Sequence, residues 1–145
     1  MEKYLKQSLK LANKKIAFVG SVKNNAPNIK AMLVARHDGL KTFYFASNYS
    51  AIRTEQFKQN SNTCIYFNSG PIYQGLMLEG TMEILNREEV KKFNIEESKK
   101  ILWNYGMKKI YKNGGVNDPD YCVLKFTAFS GRHYYMLKTN EFKIE

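Results

Sequence analysis

The chain has 145 residues, of which 43% are hydrophobic and 14% aromatic, and its formal net charge is +10. A chain of this length buries roughly 70% of the surface that its unfolded form exposes, so residues 1–145 can form a single domain whose core needs neither a metal nor a disulfide. The positive charge is compatible with nucleic acid or with an anionic small ligand. Most lysines, however, fall in predicted helices with glutamates nearby, which favours solvated helix faces.

The two cysteines and the N-terminal segment bear on the cellular compartment. Cys64 and Cys122 each lie in an apolar, strand-like run and form no CxxC pair, so we expect buried structural thiols and no zinc or redox motif. Met1 to Lys15 is charged throughout and lacks the apolar core of a signal peptide, and no later apolar run is long enough to span a bilayer. The sequence therefore predicts a reduced, cytoplasmic protein with no membrane partner.

The first half of the chain is predicted to alternate short strands with two helices. The helical spacing of Tyr4, Leu5 and Leu9 indicates an amphipathic first helix. Apolar runs and turn residues then predict, in order, a strand at Ile16 to Val22, a turn at Asn24 to Pro27, a strand at Ile29 to Arg36, a hairpin turn at His37-Asp38-Gly39, a strand at Thr42 to Ser47 and a helix from about Ser50 to Gln59.

The second half contains the clearest strand of the sequence. A strand at Asn62 to Phe67 is followed by Gln74 to Leu85, where apolar residues alternate with Glu79, Thr81 and Glu83, the pattern of a half-buried strand. Capping-box patterns then predict helices at Arg87 to Phe93 and at Ile95 to about Tyr105. The remaining predicted elements are a loop containing Asn113-Gly114-Gly115 and Asp118-Pro119, a strand at Tyr121 to Phe129, a turn at Ser130-Gly131 and a strand at Arg132 to Leu137.

Short connections between successive strands favour antiparallel pairing, and closure into a small barrel removes exposed strand edges. The predicted fold class is therefore mainly β with flanking helices (α+β). The strand-to-helix junction within Ile29 to Phe57 also predicts a phosphate site. Helix N-terminal amides and the helix dipole favour an anion there, and Arg53 lies about one turn inside the helix.

The residues of two segments and Gln74 resemble a known family, the FMN-binding split β-barrel proteins related to pyridoxamine 5'-phosphate oxidase, and within it the general-stress-protein branch. The stretch from Pro27 to Val34 is similar to the family's Pro-x-x-Arg-x-apolar strand. The stretch from Phe45 to Arg53 is similar to its Phe-x-Thr-Asn-x-x-Ser-Arg-Lys segment. Gln74 fits a glutamine that touches the flavin in the oxidases.

The resemblance implies an antiparallel split β-barrel, an FMN cofactor and a homodimer with the flavin between subunits. It also implies roles for eight residues. The backbone of Lys30, Ala31, Met32 and Leu33 lies against the flavin ring, Ser47, Asn48 and Arg53 hold the phosphate, and Gln74 touches the flavin. Each residue alone has an ordinary alternative: a surface charge, a helix cap or the start of a strand.

The chain also departs from the family pattern. Ala51 and Ile52 stand where the oxidases have serine and arginine, so one cationic phosphate contact is missing, and Lys30 replaces an arginine whose forked contact lysine cannot make. No catalytic side chain is predicted, because no Ser-His-Asp arrangement, P-loop or carboxylate pair stands out, and His37 and His133 fit surface or packing roles. Pyridoxamine phosphate oxidation is therefore not carried over.

Three functions remain open from sequence. The first is an FMN-dependent oxidoreductase that passes electrons from a donor such as NAD(P)H to a small acceptor, with a stress response as its setting. The second is a module that binds FMN, a deazaflavin or haem without turnover. The third, less favoured, is a basic β-barrel that binds single-stranded nucleic acid through lysines and stacked tyrosines.

Overall fold

The computed structural model describes residues 1–70, 73–92 and 119–145. The elements, in chain order, are α1 (Lys3–Ala12), β1 (Ile16–Lys23), β2 (Ala26–Asp38), β3 (Thr42–Asn48), α2 (Ile52–Gln59), β4 (Asn62–Asn68), β5 (Gln74–Ile84), α3 (Arg87–Lys92), β6 (Tyr121–Tyr135) and β7 (Lys138–Lys143). The predicted helix at Ile95 to Tyr105 and the glycine loop at Asn113 to Gly115 lie outside the described residues.

The strands form one antiparallel sheet in the order β3-β2-β1-β4-β5-β6-β7, and an additional pairing of β3 with β6 closes it into a barrel. The long β6 makes this closure possible. Its first half, Tyr121 to Thr127, pairs with β3, and on the same side its second half, Ser130 to Tyr135, pairs with β7. The predicted antiparallel barrel is confirmed.

The core lies inside the barrel, where the inward faces of the strands meet. Along β5 the predicted alternation is confirmed: Leu76, Leu78 and Met82 are buried, whereas Thr81 and Glu83 are exposed. Fully buried aromatic side chains fill the centre, namely Phe43, Phe45, Phe67 and Phe126. The helix α1 packs against β4, β5 and β6.

The predicted turn at Ser130-Gly131 is wrong, because both residues lie within the continuous strand β6. The absence of a side chain at Gly131 makes room for the Phe142 ring, because an added Cβ would come within 2.4 Å of that ring. The hairpin turn instead falls at Met136 and Leu137, with Met136 in the left-handed region at φ 55°. Neither residue is a typical turn former, so the sequence pattern did not show this turn.

Two other boundaries shift. Only Asn24 and Asn25 form the turn between β1 and β2, with φ values of 50° and 64°, while Ala26 and Pro27 already pair with β1. Two successive positive φ values match the tight turns that suit hairpin twist. The helix α2 begins at Ile52, two residues later than predicted, so Arg53 is its second residue.

Candidate functional site

A cavity of about 360 Å³ lies between α2 and the paired strands β1 and β2; we call it the α2 cavity. Its volume falls in the usual range for small-molecule sites. Three of the eight predicted site residues line it. They are Lys30, Met32 and Arg53.

Two cations meet in the α2 cavity from different elements. Lys30 is exposed on β2, and Arg53 is half-buried in the first turn of α2. Ala51 is the N-cap residue of this helix, and its methyl side chain cannot accept a hydrogen bond from the first-turn amides. Cationic side chains beside a helix N-terminus favour an anion.

The α2 cavity also has a buried polar pair that sequence reasoning missed. Ser21 donates a hydrogen bond from its hydroxyl to the Gln56 side-chain carbonyl, and both residues are only 8% exposed. The two residues are 35 positions apart in the chain. The only sequence signal was the polar interruption that Ser21 makes in the apolar run of β1.

Ser47 and Asn48 lie beneath the start of α2, and neither lines the α2 cavity. The Asn48 carbonyl accepts hydrogen bonds from the Thr54 hydroxyl at 2.7 Å and the Ala51 amide at 3.2 Å, which fixes the strand-to-helix junction. Ser47 is buried, with its Oγ 3.4 Å from the Thr54 Oγ1. The Ser47 hydroxyl therefore faces the first turn of α2.

Ala31 and Leu33 alternate with the cavity-lining residues of β2 and do not line the α2 cavity. Gln74, the first residue of β5, does not line it either. The Gln74 amide nitrogen lies 3.1 Å from Nε2 of His133, which is buried in β6. The structure thus groups Lys30, Met32 and Arg53 and places Gln74 elsewhere.

Burial lowers the pKa of His133 below its ordinary value of 6.5. At a pH between the folded-state and unfolded-state pKa values of His133, this side chain is protonated more fully in the unfolded chain. The free energy of unfolding should therefore fall as the pH decreases from about 6.5. We expect a shallower dependence in His133→Gln, which cannot take up that proton. Urea unfolding of both proteins between pH 7.5 and 5 measures the two slopes, and equal slopes would contradict the prediction.

A wide apolar groove of about 700 Å³ adjoins the α2 cavity and shares Ser21, Asn28 and Ile29 with it; we call it the apolar groove. Large side chains in its wall are exposed: Phe18 by 39%, Ile29 by 74% and Phe129 by 53%. The groove therefore presents a mainly apolar surface that could contact a ligand or a protein partner.

The cysteines do not offer a reactive group. Burial raises the pKa of Cys122 to about 11, although the nearby Arg53 charge and hydrogen bonds from Thr54 and Ser47 oppose the rise. Burial likewise raises the pKa of Cys64, which is half-buried in the wall of the apolar groove. Both therefore stay protonated near neutral pH, as inert thiols do.

Within residues 1–70, 73–92 and 119–145, no three histidine, cysteine or acidic side chains are grouped so that they could hold a metal ion. No helix in the same residues combines the length and the apolar character that a bilayer crossing requires.

Comparisons with known proteins agree with the resemblance. The family profile described as pyridoxamine 5'-phosphate oxidase matches residues 5–135. A crystal structure from Clostridium acetobutylicum, of a protein related to general stress protein 26, is 41% identical, with a TM-score of 0.78 over 99% of this chain and 96% of that one. No curated protein matches the chain.

More distant structures share the fold. General Stress Protein 26 from Bacillus anthracis is 14% identical, with a TM-score of 0.70 over 98% of this chain and 97% of that one. A heme binding protein from Mycobacterium smegmatis is 11% identical, with a TM-score of 0.73 over 99% of this chain and 59% of that one. The barrel, the profile match and the 41% identity together place the chain in the pyridoxamine 5'-phosphate oxidase family, in the branch that includes relatives of general stress protein 26.

Proposed function

We propose that this protein is a homodimeric flavoprotein that binds FMN and passes electrons from a reductant such as NAD(P)H to a small acceptor, with a stress response as its cellular setting. One observation supports this most directly. A cavity with two cations at a helix N-terminus opens beside an extended apolar groove. FMN has the matching two parts, an anionic phosphate and a flat ring with apolar faces.

The phosphate would lie at the α2 end of the site. Lys30 and Arg53 supply positive charge, and the amides at the start of α2 that precede its first intrahelical bond, from Thr54 to Ala51, supply donors of the kind that phosphates prefer. Ser47 and Asn48 contribute by shaping the junction from which α2 starts, since their contacts run to Thr54 and Ala51. The exposed Ile52 adds no charge, so this site has one cation fewer than the family pattern.

The ring would lie along β2 and the apolar groove. The strand from Lys30 to Leu33 offers backbone donors and acceptors at fixed spacing for the ring edge, and Phe18 and Phe129 offer apolar surface. Gln74 lies outside the α2 cavity, so in this proposal the second copy of the dimer would supply the contact of Gln74 with the flavin.

The bound flavin would supply the redox chemistry, and the protein would bind and orient it. Lys30 and Arg53 fix one end of the cofactor, and the β2 backbone fixes the ring edge. Two copies meeting at the apolar groove would exclude water from the ring. This mechanism assigns no side chain as acid or base.

The visible spectrum of the purified protein, followed by mass analysis of what denaturation releases, tests the proposal. We expect flavin absorption and released FMN, or saturable quenching of flavin fluorescence when FMN is added to colourless protein. Reduction by NAD(P)H followed by acceptor-dependent reoxidation would establish turnover. A protein that neither contains nor binds flavin contradicts the proposal.

Haem is a second candidate ligand, because one structural neighbour is a heme binding protein. The placement of the histidines does not favour it. His37 bonds to Asn13 and Gly39, His133 bonds to Gln74, and neither lines the α2 cavity or the apolar groove. The same spectrum separates haem from flavin, while a colourless protein with salt-dependent oligonucleotide binding would instead favour a nucleic-acid partner.

A charge introduced into the apolar groove should disrupt the proposed dimer. We expect Phe18→Glu to elute and scatter light as a monomer and to bind FMN more weakly, since a buried carboxylate at an interface is costly. Leu137→Glu is the matched control, because Leu137 is fully exposed at the hairpin between β6 and β7. A monomeric parent protein, or equal molar masses for both variants and the parent, contradicts this prediction.

A further inference from the structure

A second cavity, of about 290 Å³, lies between the first turns of α1 and the hairpin formed by β6 and β7; we call it the α1 cavity. It shares no residue with the α2 cavity or the apolar groove. Most of the residues that line it have polar or charged side chains. They include Glu2, Lys3, His133, Lys138 and Asn140.

The His133 side chain lies on the sheet face that α1 covers. His133 pairs directly with Asn140, and the neighbouring pair is Tyr135 with Lys138, so these four residues share one face of the sheet. All four also line the α1 cavity, together with residues of α1. His133 is only 1% exposed.

The hydrogen bonding of His133 leaves one ring nitrogen in need of a partner. The Gln74 amide nitrogen lies 3.1 Å from Nε2 and can only donate, so Nε2 accepts and the neutral ring carries its proton on Nδ1. Nδ1 is buried and has no hydrogen-bond partner among the described residues. Buried donors in folded proteins nearly always have an acceptor.

The N-terminus of α1 adds a second set of donors. Glu2 precedes the helix without a side-chain capping bond, and its carbonyl takes the first bonds of the helix, from the amides of Leu5 and Lys6. The amides of Lys3 and Tyr4 precede that first intrahelical bond. The helix dipole and the ammonium groups of Lys3 and Lys138 make this wall positive, with the Glu2 carboxylate as the opposing charge.

We propose that the α1 cavity binds a small oxyanion, a carboxylate or phosphate group, which accepts a hydrogen bond from His133 Nδ1 and is held by the N-terminus of α1. Lys3 and Lys138 balance its charge. The ligand would connect α1 to the last hairpin of the sheet. The α1 and α2 cavities share no lining residue, and Gln74, which donates to His133 here, is the residue that both proposals use.

Nitrogen-15 NMR of the imidazole side chains, recorded during titration with sodium phosphate or sodium acetate at constant ionic strength, tests the site. We expect a saturable shift of the His133 Nδ1 resonance. Saturation by phosphate alone assigns a phosphate group, and saturation by acetate alone assigns a carboxylate. A shift that is absent or does not saturate with either anion overturns the proposal and leaves water as the acceptor.

Variants at the rim of the α1 cavity keep the test independent of folding. Lys138→Met should weaken anion binding roughly two- to fivefold, the range of a partly exposed ion pair. Lys143→Met, an exposed lysine of the same strand outside the cavity wall, should leave it unchanged. Equal affinities for these two variants overturn the proposal.

Glu2 is the rival occupant, since its own carboxylate could turn into the α1 cavity. If it only opposes the ligand charge, Glu2→Gln should tighten anion binding about twofold or more. If Glu2→Gln lowers the melting temperature and a saturable anion shift appears only in this variant, the carboxylate of Glu2 is the group that His133 binds in the parent protein, and the proposal of an external anion fails.

Discussion

Arg53→Ala is expected to weaken FMN binding by about 1.5 to 3 kcal/mol, or roughly 10- to 150-fold in Kd, the range for a hydrogen bond to a charged group. Arg53 lines the α2 cavity from the first turn of α2, next to the site proposed for the phosphate. The loss should be partial because Lys30 lines the same cavity from β2. Calorimetric titration of both proteins with FMN measures the difference.

Riboflavin, which lacks the phosphate, makes the assignment specific. If Arg53 binds the phosphate, Arg53→Ala should change riboflavin affinity much less than FMN affinity. Lys58→Ala is the matched control, because Lys58 lies exposed in the last turn of the same helix, paired with Glu55. Equal losses for FMN and riboflavin would place Arg53 at the ring or in the fold, and equal FMN affinities for parent and variant would remove it from the site.

The order of elements could be predicted because most strands carry a local signal. Gln74 to Ile84 alternates cleanly, and the Asp38-Gly39 turn adopts the expected left-handed glycine at φ 58°. The continuity of β6 could not be predicted, because Gly131 resembles a turn residue when only its neighbours along the chain are considered. Its actual role, contact with the Phe142 ring, depends on a strand that follows later in the sequence.

The same distinction applies to the candidate site. Lys30 and Arg53 could be grouped from sequence because each lies in a recognisable segment, and the structure brings both to one cavity. The hydrogen bond between Ser21 and Gln56 could not be predicted from sequence, because it depends on how α2 packs over β1. The contact of the Gln74 side chain with His133 could not be predicted either, because it follows from the register in which β5 pairs with β6.

Gly80 is needed where β5 and β6 slip in register. Glu79 pairs with Ser130, whereas Gly80 pairs with Ala128, so Phe129 is the extra residue of a bulge and is 53% exposed in the wall of the apolar groove. Such a bulge bends a strand and helps a sheet to close. A Cβ on Gly80 would lie 2.0 Å from the Thr127 carbonyl oxygen, a backbone atom that cannot move without opening the sheet.

Gly80→Ala is therefore expected to lower the free energy of unfolding by about 3 kcal/mol or more, in the range of severe overpacking. Gly20→Ala is the matched control, because a Cβ there would meet the Cys64 sulfur at 3.4 Å, an ordinary contact, and it should change stability by about 1 kcal/mol or less. Urea unfolding without added flavin, at one protein concentration, compares the two. Similar stabilities for the two variants would contradict the prediction and show that the register shift accommodates a side chain at position 80.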